Sequence, residues 1–129
     1  MLAAVTPQTD DGKINAAFKA VASIADALGL TWPERCALLD VPRSTYHRWL
    51  LHGVKADLDK QDRIAYILGI YHLAGTAFPG AGGAKGWLTR PNPHPAFRGA
   101  RPLDRMLAGR MEDLIEVFRI LRGVEAIWS

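Results

Sequence analysis

The groups able to do covalent or acid–base chemistry are few and scattered. Four histidines, His47, His52, His72 and His94, share no metal-ligand spacing with a carboxylate or with the lone cysteine, Cys36. One cysteine excludes an internal disulfide and a cysteine-based zinc site. Gly80-Ala81-Gly82-Gly83 is a glycine run with no strand before it, and no P-loop, dinucleotide glycine pattern or nucleophile elbow occurs. Asp57, Asp59 and Asp62 crowd a helix start, where the helix dipole favours acids without any catalytic role. His72, on an apolar helix, reads as a partly buried structural residue. With no convergent acid–base pair, the sequence predicts no active site, no metal and no cofactor.

The chemistry of recognition is better represented. From Arg43 to Lys55 the chain carries Arg43, Arg48, Lys55, His47 and His52 and no acid. Base edges and phosphates call for such a face. Arg43, Ser44, Thr45, His47 and Arg48 are the residues expected nearest a groove, with Lys55 flanking. The polar outside of an ordinary three-helix bundle is the competing account of the same residues.

The elements that must hold this face are legible. Thr31 followed by Glu34 is a capping box, with Pro33 tolerated in the first turn. Asp40-Val41-Pro42 makes a short turn, and Arg43 to about Leu51 makes a second helix with Tyr46, Trp49 and Leu50 on one side. This is a helix-turn-helix pattern. Asp40 stands where glycine is common, and aspartate tolerates the left-handed conformation better than most residues. Upstream, residues 1–13 read as a flexible lead, and a helix starts near Asn15, runs over Phe18, Val21, Ala25 and Leu28, and stops at Gly29. Downstream, Asp57 opens a long helix with Ile64, Ile67, Leu68 and Tyr71 in a broad stripe. That stripe can serve as core or as a homodimer face. Gly69 either lets another helix approach or only weakens its own. Pro79 to Gly83 is the best module boundary.

Whole-chain properties set the class. At 129 residues, 49% of them hydrophobic, the chain can form one domain, or two small modules sharing a core. No apolar run approaches the ~18 residues of a membrane span, and the start lacks a signal-peptide pattern, so a cytoplasmic protein without membrane contact is expected. The net charge is +3. Residues 1–83 hold eight basic and eight acidic residues, and residues 84–129 hold eight basic and five acidic. Bulk charge therefore gives the helix-turn-helix no support of its own.

The stretch Trp87 to Ala126 carries the most information. Trp87-Leu88 is followed by a loop stiffened by Pro91, Pro93 and Pro95 and released at Gly99. Arg101-Pro102-Leu103-Asp104 is a helix start with proline in the first turn. Gly109 breaks that helix, a second runs over Leu114, Ile115, Val117, Phe118, Ile120 and Leu121, and Gly123 is expected to end it. The second helix is apolar over more than one side, so part should face the core and part another surface. Asn92 is either a turn residue bonding backbone locally or a contact. Trp87 is either a packing anchor or a hot spot. Phe97, in a polar, basic loop, looks hard to bury and is a contact candidate. The apolar tail either folds back on its own core or anchors an interface.

Trp-Leu, then Pro-Asn, Gly, Pro-Leu-Asp and an apolar helix closing on Arg-Gly-Val-x-Ala resembles the toxin-binding region of Xre/MbcA/ParS-type antitoxins. The likeness covers about the last third of the chain. It implies an all-α protein: an N-terminal Xre-like helix-turn-helix bundle over 14–80 for DNA binding and dimerisation, plus a small helical toxin-binding domain over 84–129. It implies a RES-domain toxin that attacks NAD as partner, operator DNA as a second partner, and repression of the chain's own operon. The residues expected at the toxin are Trp87, Asn92, Phe97, Arg98 and Arg101, together with Val124, Glu125, Ile127, Trp128 and Ser129 from the segment that the resemblance places in the toxin's cleft. The rival expectation is a stand-alone helix-turn-helix regulator in which 84–129 only dimerises.

Overall fold

Thr31 Oγ1 accepts from the Glu34 amide at 3.3 Å, and Glu34 Oε1 accepts from the Thr31 amide at 2.8 Å. Helix α2 (Trp32–Leu39) therefore starts where the capping box predicts. In this computed structural model, which describes the backbone of residues 2–128 and the side chains of residues 12–124, seven α-helices and no strand are present among the described residues. The chain is all-α. Helix α1 spans Leu2–Ala27, α3 Arg43–His52, α4 Leu58–Ala77, α5 Gly83–Thr89, α6 Pro102–Met106 and α7 Met111–Trp128. Short 3-10 turns form at Pro79–Ala81 and Pro95–Phe97.

Several sequence expectations need correction. The helix expected to start at Asn15 already begins at Leu2. Asn15 serves instead as a tie: its Oδ1 accepts from the Val54 amide at 2.6 Å, joining α1 to the loop after α3. Gly123 does not end α7, which continues to Trp128. Neighbours in a packed helix outweigh the roughly 1 kcal/mol that one interior glycine costs. His72 is exposed rather than partly buried, because the core side of α4 is held by Ile64, Ile67, Ile70 and Ala74.

The turn between α2 and α3 is left-handed at Asp40 (φ 54), as an aspartate there permits. Val41 is buried behind it, and Phe18 of α1 meets Tyr46 and Trp49 edge-on at 5.2 and 5.4 Å. Such T-shaped packing suits the ring quadrupoles. Leu50, grouped by spacing with Tyr46 and Trp49, is instead 45% exposed. Helix α4 packs against α1 on one side and against α5 and α7 on another. One continuous core runs from Phe18 to Leu121. Where α7 approaches α4, a Cβ on Gly69 would lie 2.9 Å from Phe118 Cε1, so that ring would have to shift.

The glycines around α5 are equally positional. The Pro79–Ala81 turn folds back so closely that a Cβ on Gly86 would run into the Ala81 carbonyl oxygen. A backbone atom cannot swing aside as a side chain does. Gly86→Ala is therefore expected to lower unfolding free energy by about 1–3 kcal/mol, the usual cost of overpacking. A urea midpoint equal to that of the wild type would show that the turn gives way instead.

Candidate functional site

Two surfaces answer to the recognition residues. The first is the outside of α3. Arg43, Ser44 and Arg48 are exposed, while Thr45 and His47 are half-buried. Arg43 Nε donates to His47 Nε2 at 3.2 Å, and Arg48 Nη2 donates to Thr45 Oγ1 at 3.4 Å. These five residues share one helix face. Lys55 does not join them. It lies beyond the Gly53 turn (φ 90) and lines a separate recess with Ile14, Asn15, His52 and Gln61.

The second surface is built on an aromatic ladder. Phe78 and Trp87 stack at 5.8 Å with an 8° interplanar angle, and Phe97 meets Trp87 edge-on at 5.9 Å. Trp87 is buried, so it acts as the packing anchor of the loop. Phe97 corrects the expectation that it is hard to bury. The turn at Pro95–Phe97, closed by left-handed Arg98 (φ 49) and Gly99 (φ 82), aims its ring into the core, where it is 3% exposed. In this structure Phe97 supports a binding edge from below and offers no surface contact.

The loop above the ladder is held by its own polar groups. Asn92 Oδ1 accepts from the His94 amide at 2.9 Å, and the Asn92 amide donates to the Ala100 carbonyl at 3.0 Å. Asn92 is the local bend-holder that its position between prolines suggests. His94 Nδ1 accepts from the Ala96 amide at 3.1 Å, a role that spacing alone does not suggest. Arg98 is exposed, and Arg101 pairs with Asp104 at 2.6 Å across the start of α6. Between loop and α7 lies an open groove of about 380 Å³, lined by Phe78, Trp87, Arg90, Pro91, Asn92, Pro93, His94, Ile120 and Val124. The side chains of Glu125, Ile127 and Trp128, and all of Ser129, lie outside the described residues.

The loop is fastened to α7 by an ion-pair knot that sequence reasoning misses. Asp113 is 1% exposed. Its Oδ1 accepts from Arg105 Nε at 3.0 Å and its Oδ2 from Arg110 Nε at 2.8 Å. Arg105 Nη1 also donates to the Ala96 carbonyl at 3.1 Å. The Arg105 arm closes across the Gly109 break (φ 86), so no helical spacing announces it, whereas the Arg110 arm has i,i+3 spacing. A recess of about 410 Å³ beside it is lined by Arg98, Arg101, Arg105 and Arg110 together with Asp104 and Asp113. Among the described residues no cluster of histidine, cysteine, aspartate and glutamate could hold a metal, and no helix is long and apolar enough to cross a membrane.

Residues 73–126, from within α4 to within the last turn of α7, match the family described as the antitoxin Xre/MbcA/ParS C-terminal toxin-binding domain. Over 117 residues the chain is 33% identical to the uncharacterized protein y4oB of Sinorhizobium fredii (strain NBRC 101917 / NGR234). That similarity covers 90% of this chain and 89% of the relative, so it takes in the helix-turn-helix half as well. Residues 73–126 thus carry the C-terminal domain of the Xre/MbcA/ParS antitoxin family. The domain matched is one described as toxin-binding.

Burial alone would raise the Asp113 carboxyl, but the hydrogen bonds and charges of Arg110 and Arg105 hold it below its ordinary 3.8. A group whose folded value lies below its unfolded value contributes stability above the unfolded value and loses it as pH falls through the folded one. Thermal midpoints should therefore drop as pH is lowered below about 4. Asp113→Asn should be less stable at neutral pH and show a shallower acid dependence. Parallel pH profiles for the two proteins would remove Asp113 from this account.

Proposed function

We propose that this chain neutralises a RES-domain, NAD-consuming toxin by occupying its active-site cleft, and represses its own operon through α2 and α3. The toxin-binding-domain match over residues 73–126 carries the first half of this reading. The groove between the proline loop and α7 supports it, because Ile120 and Val124 leave apolar surface next to the terminal residues. In this scheme residues 84–129 form the toxin-binding unit. Asn92, Arg98, Arg101 and Val124 lie at or near its surface, Trp87 and Phe97 brace it from the core, and Glu125, Ile127, Trp128 and Ser129 enter the cleft. Inhibition needs only tight occupancy, so no catalytic group is required.

Residues 14–80 form the DNA-binding and dimerisation unit of the same scheme. The exposed, acid-free face of Arg43, Ser44 and Arg48 supports it, with Thr45 and His47 at its edge and Lys55 near a flanking phosphate. A homodimer would place two such faces on a two-fold operator. The second reading is a stand-alone regulator in which residues 84–129 only dimerise.

The two readings part on a truncation. Co-expressed with the toxin candidate encoded beside it, a chain lacking residues 125–129 should lose neutralisation and keep binding to the duplex upstream of its own gene. Full protection by the truncated chain would rule out occlusion by this segment. Conversely, Arg43→Ala with Arg48→Ala should weaken binding to that duplex at least about tenfold, as loss of direct base contacts does, and leave neutralisation intact. Unchanged duplex affinity would take α3 out of DNA recognition.

A further inference from the structure

Trp32, the first residue of α2, is half-buried beside the outer face of α3. Its ring meets four side chains. The Arg43 guanidinium carbon lies 5.4 Å from the indole centroid, and that of Arg35 lies 5.3 Å away. The His47 ring lies at 4.7 Å, tilted by 36°, and Tyr46 meets the indole edge-on at 5.6 Å.

Two of these partners fix the indole. Tyr46 is buried, and Arg35 is itself tied down, donating from Nη1 to Asp26 at 2.7 Å and from Nε to the Leu30 carbonyl at 3.0 Å. The other two partners are the residues that the indole carries. Arg43 Nε is committed to His47 Nε2. Among the described residues its two terminal nitrogens have no hydrogen-bond partner, so the outward fork of the guanidinium is unoccupied. Arg48, one turn on, has only the long bond to Thr45 and no aromatic support.

We propose that Trp32 is a positioning residue for DNA recognition. Its indole holds Arg43 and His47 in one array, so the Arg43 fork meets DNA already oriented. This rests on the reading of α3 as the DNA-binding helix. An arginine is long and rotamer-rich, and a donor pair pre-set in direction loses less freedom on docking. The favourable face of the indole supplies the restraint, since a guanidinium over an aromatic ring is attracted by the ring quadrupole. The capping-box segment Thr31-Trp32-Pro33-Glu34 sets where α2 begins, and with it where the indole stands relative to α3.

A double-mutant cycle in the full chain separates positioning from packing. Trp32→Leu, Arg43→Ala and the double variant are titrated with the duplex upstream of the chain's own gene and with a scrambled duplex. Thermal midpoints serve as the folding control. With Arg43 present, Trp32→Leu should weaken upstream-duplex binding about two- to fivefold, the range of an exposed cation–π contact. In the Arg43→Ala background it should change nothing further, and Trp32→Phe should restore most of the loss. Equal losses in both backgrounds would make Trp32 a packing residue only, and no loss in either would end its role altogether. Should Trp32→Leu unfold the chain, Trp32→Phe in both backgrounds carries the same comparison. Binding that depends on Arg43 but ignores Trp32 overturns this inference and leaves the DNA reading standing. Wild-type protein that does not distinguish the two duplexes, with Arg43→Ala without effect, overturns both.

Discussion

A cation buried to 5% exposure joins parts of this fold that lie far apart in the sequence. Arg63, on α4, donates to the Gly109 carbonyl at 2.7 Å and to Asp59 Oδ2 at 3.1 Å, and its Nη2 lies 3.8 Å from Asp40 Oδ2. Asp40 is the left-handed turn of the helix-turn-helix, and Gly109 is the break between α6 and α7. One guanidinium thus spans the corner of the N-terminal motif and the hinge of the C-terminal one. The Gly109 turn also packs on α2, where an added Cβ would stand 3.2 Å from the Ala37 carbonyl. A buried cation is tolerable only when its donors are answered, and here a carboxylate and a carbonyl answer them. Once Arg63 is placed, α2, α4 and the start of α7 have little freedom to slide against one another.

Helix α4 is consequently the common wall of both halves. Its buried residues Ile64, Ile67, Ile70 and Ala74 belong to the core that also holds Phe18 on one side and Leu114 on the other. The family match starts at residue 73, inside α4, and not at the glycine-rich break. That break is itself built structure, a 3-10 turn pressed onto Gly86. A protein divided there would expose Trp87, Leu88 and the inner face of α7, which α4 covers. Composition alone marks Pro79–Gly83 as a seam. Packing shows that the element before the seam is needed on both sides of it.

Much of this is legible in the sequence because it is local. The Thr31–Glu34 capping box, the left-handed Asp40, the Asp57 cap on α4, the Gly109 break and the Pro102 helix start each depend on residues a few places apart. What stays hidden depends on distance. Asn15 reaches Val54, Arg63 reaches Gly109, and Arg105 reaches Asp113 across a turn. Phe97 misleads for the same reason: its polar neighbours point away, and the Trp87 that receives it lies ten places earlier in the chain. Gly123 misleads in the opposite sense, since a local breaker counts for less than the packed face of α7. By sequence Trp32 is a helix-start aromatic and nothing more. Its importance depends on Arg43 and His47 being folded over it.

The charge distribution shows how a count can mislead about partners. By sequence, residues 84–129 hold the basic excess and residues 1–83 are balanced. In the fold, Arg101 is paired with Asp104, and Arg105 and Arg110 are both paired with Asp113. Three of the eight basic residues of this half are therefore engaged in pairs that help to hold a stiff loop over an apolar groove. In the balanced half, Asp26 is engaged with Arg35, and Asp40 and Asp59 with Lys60 and Arg63. The α3 face carries no acid at all, and Arg43 and Arg48 stay exposed on it. The field a polyanion would meet at α3 is thus more positive than the balanced count suggests. The groove that lies beside the terminal residues is the less charged of the two surfaces, with Arg90 as its one cation among the described lining residues. On the proposed reading, an anionic partner and an apolar one would each meet a separate surface on the same small core.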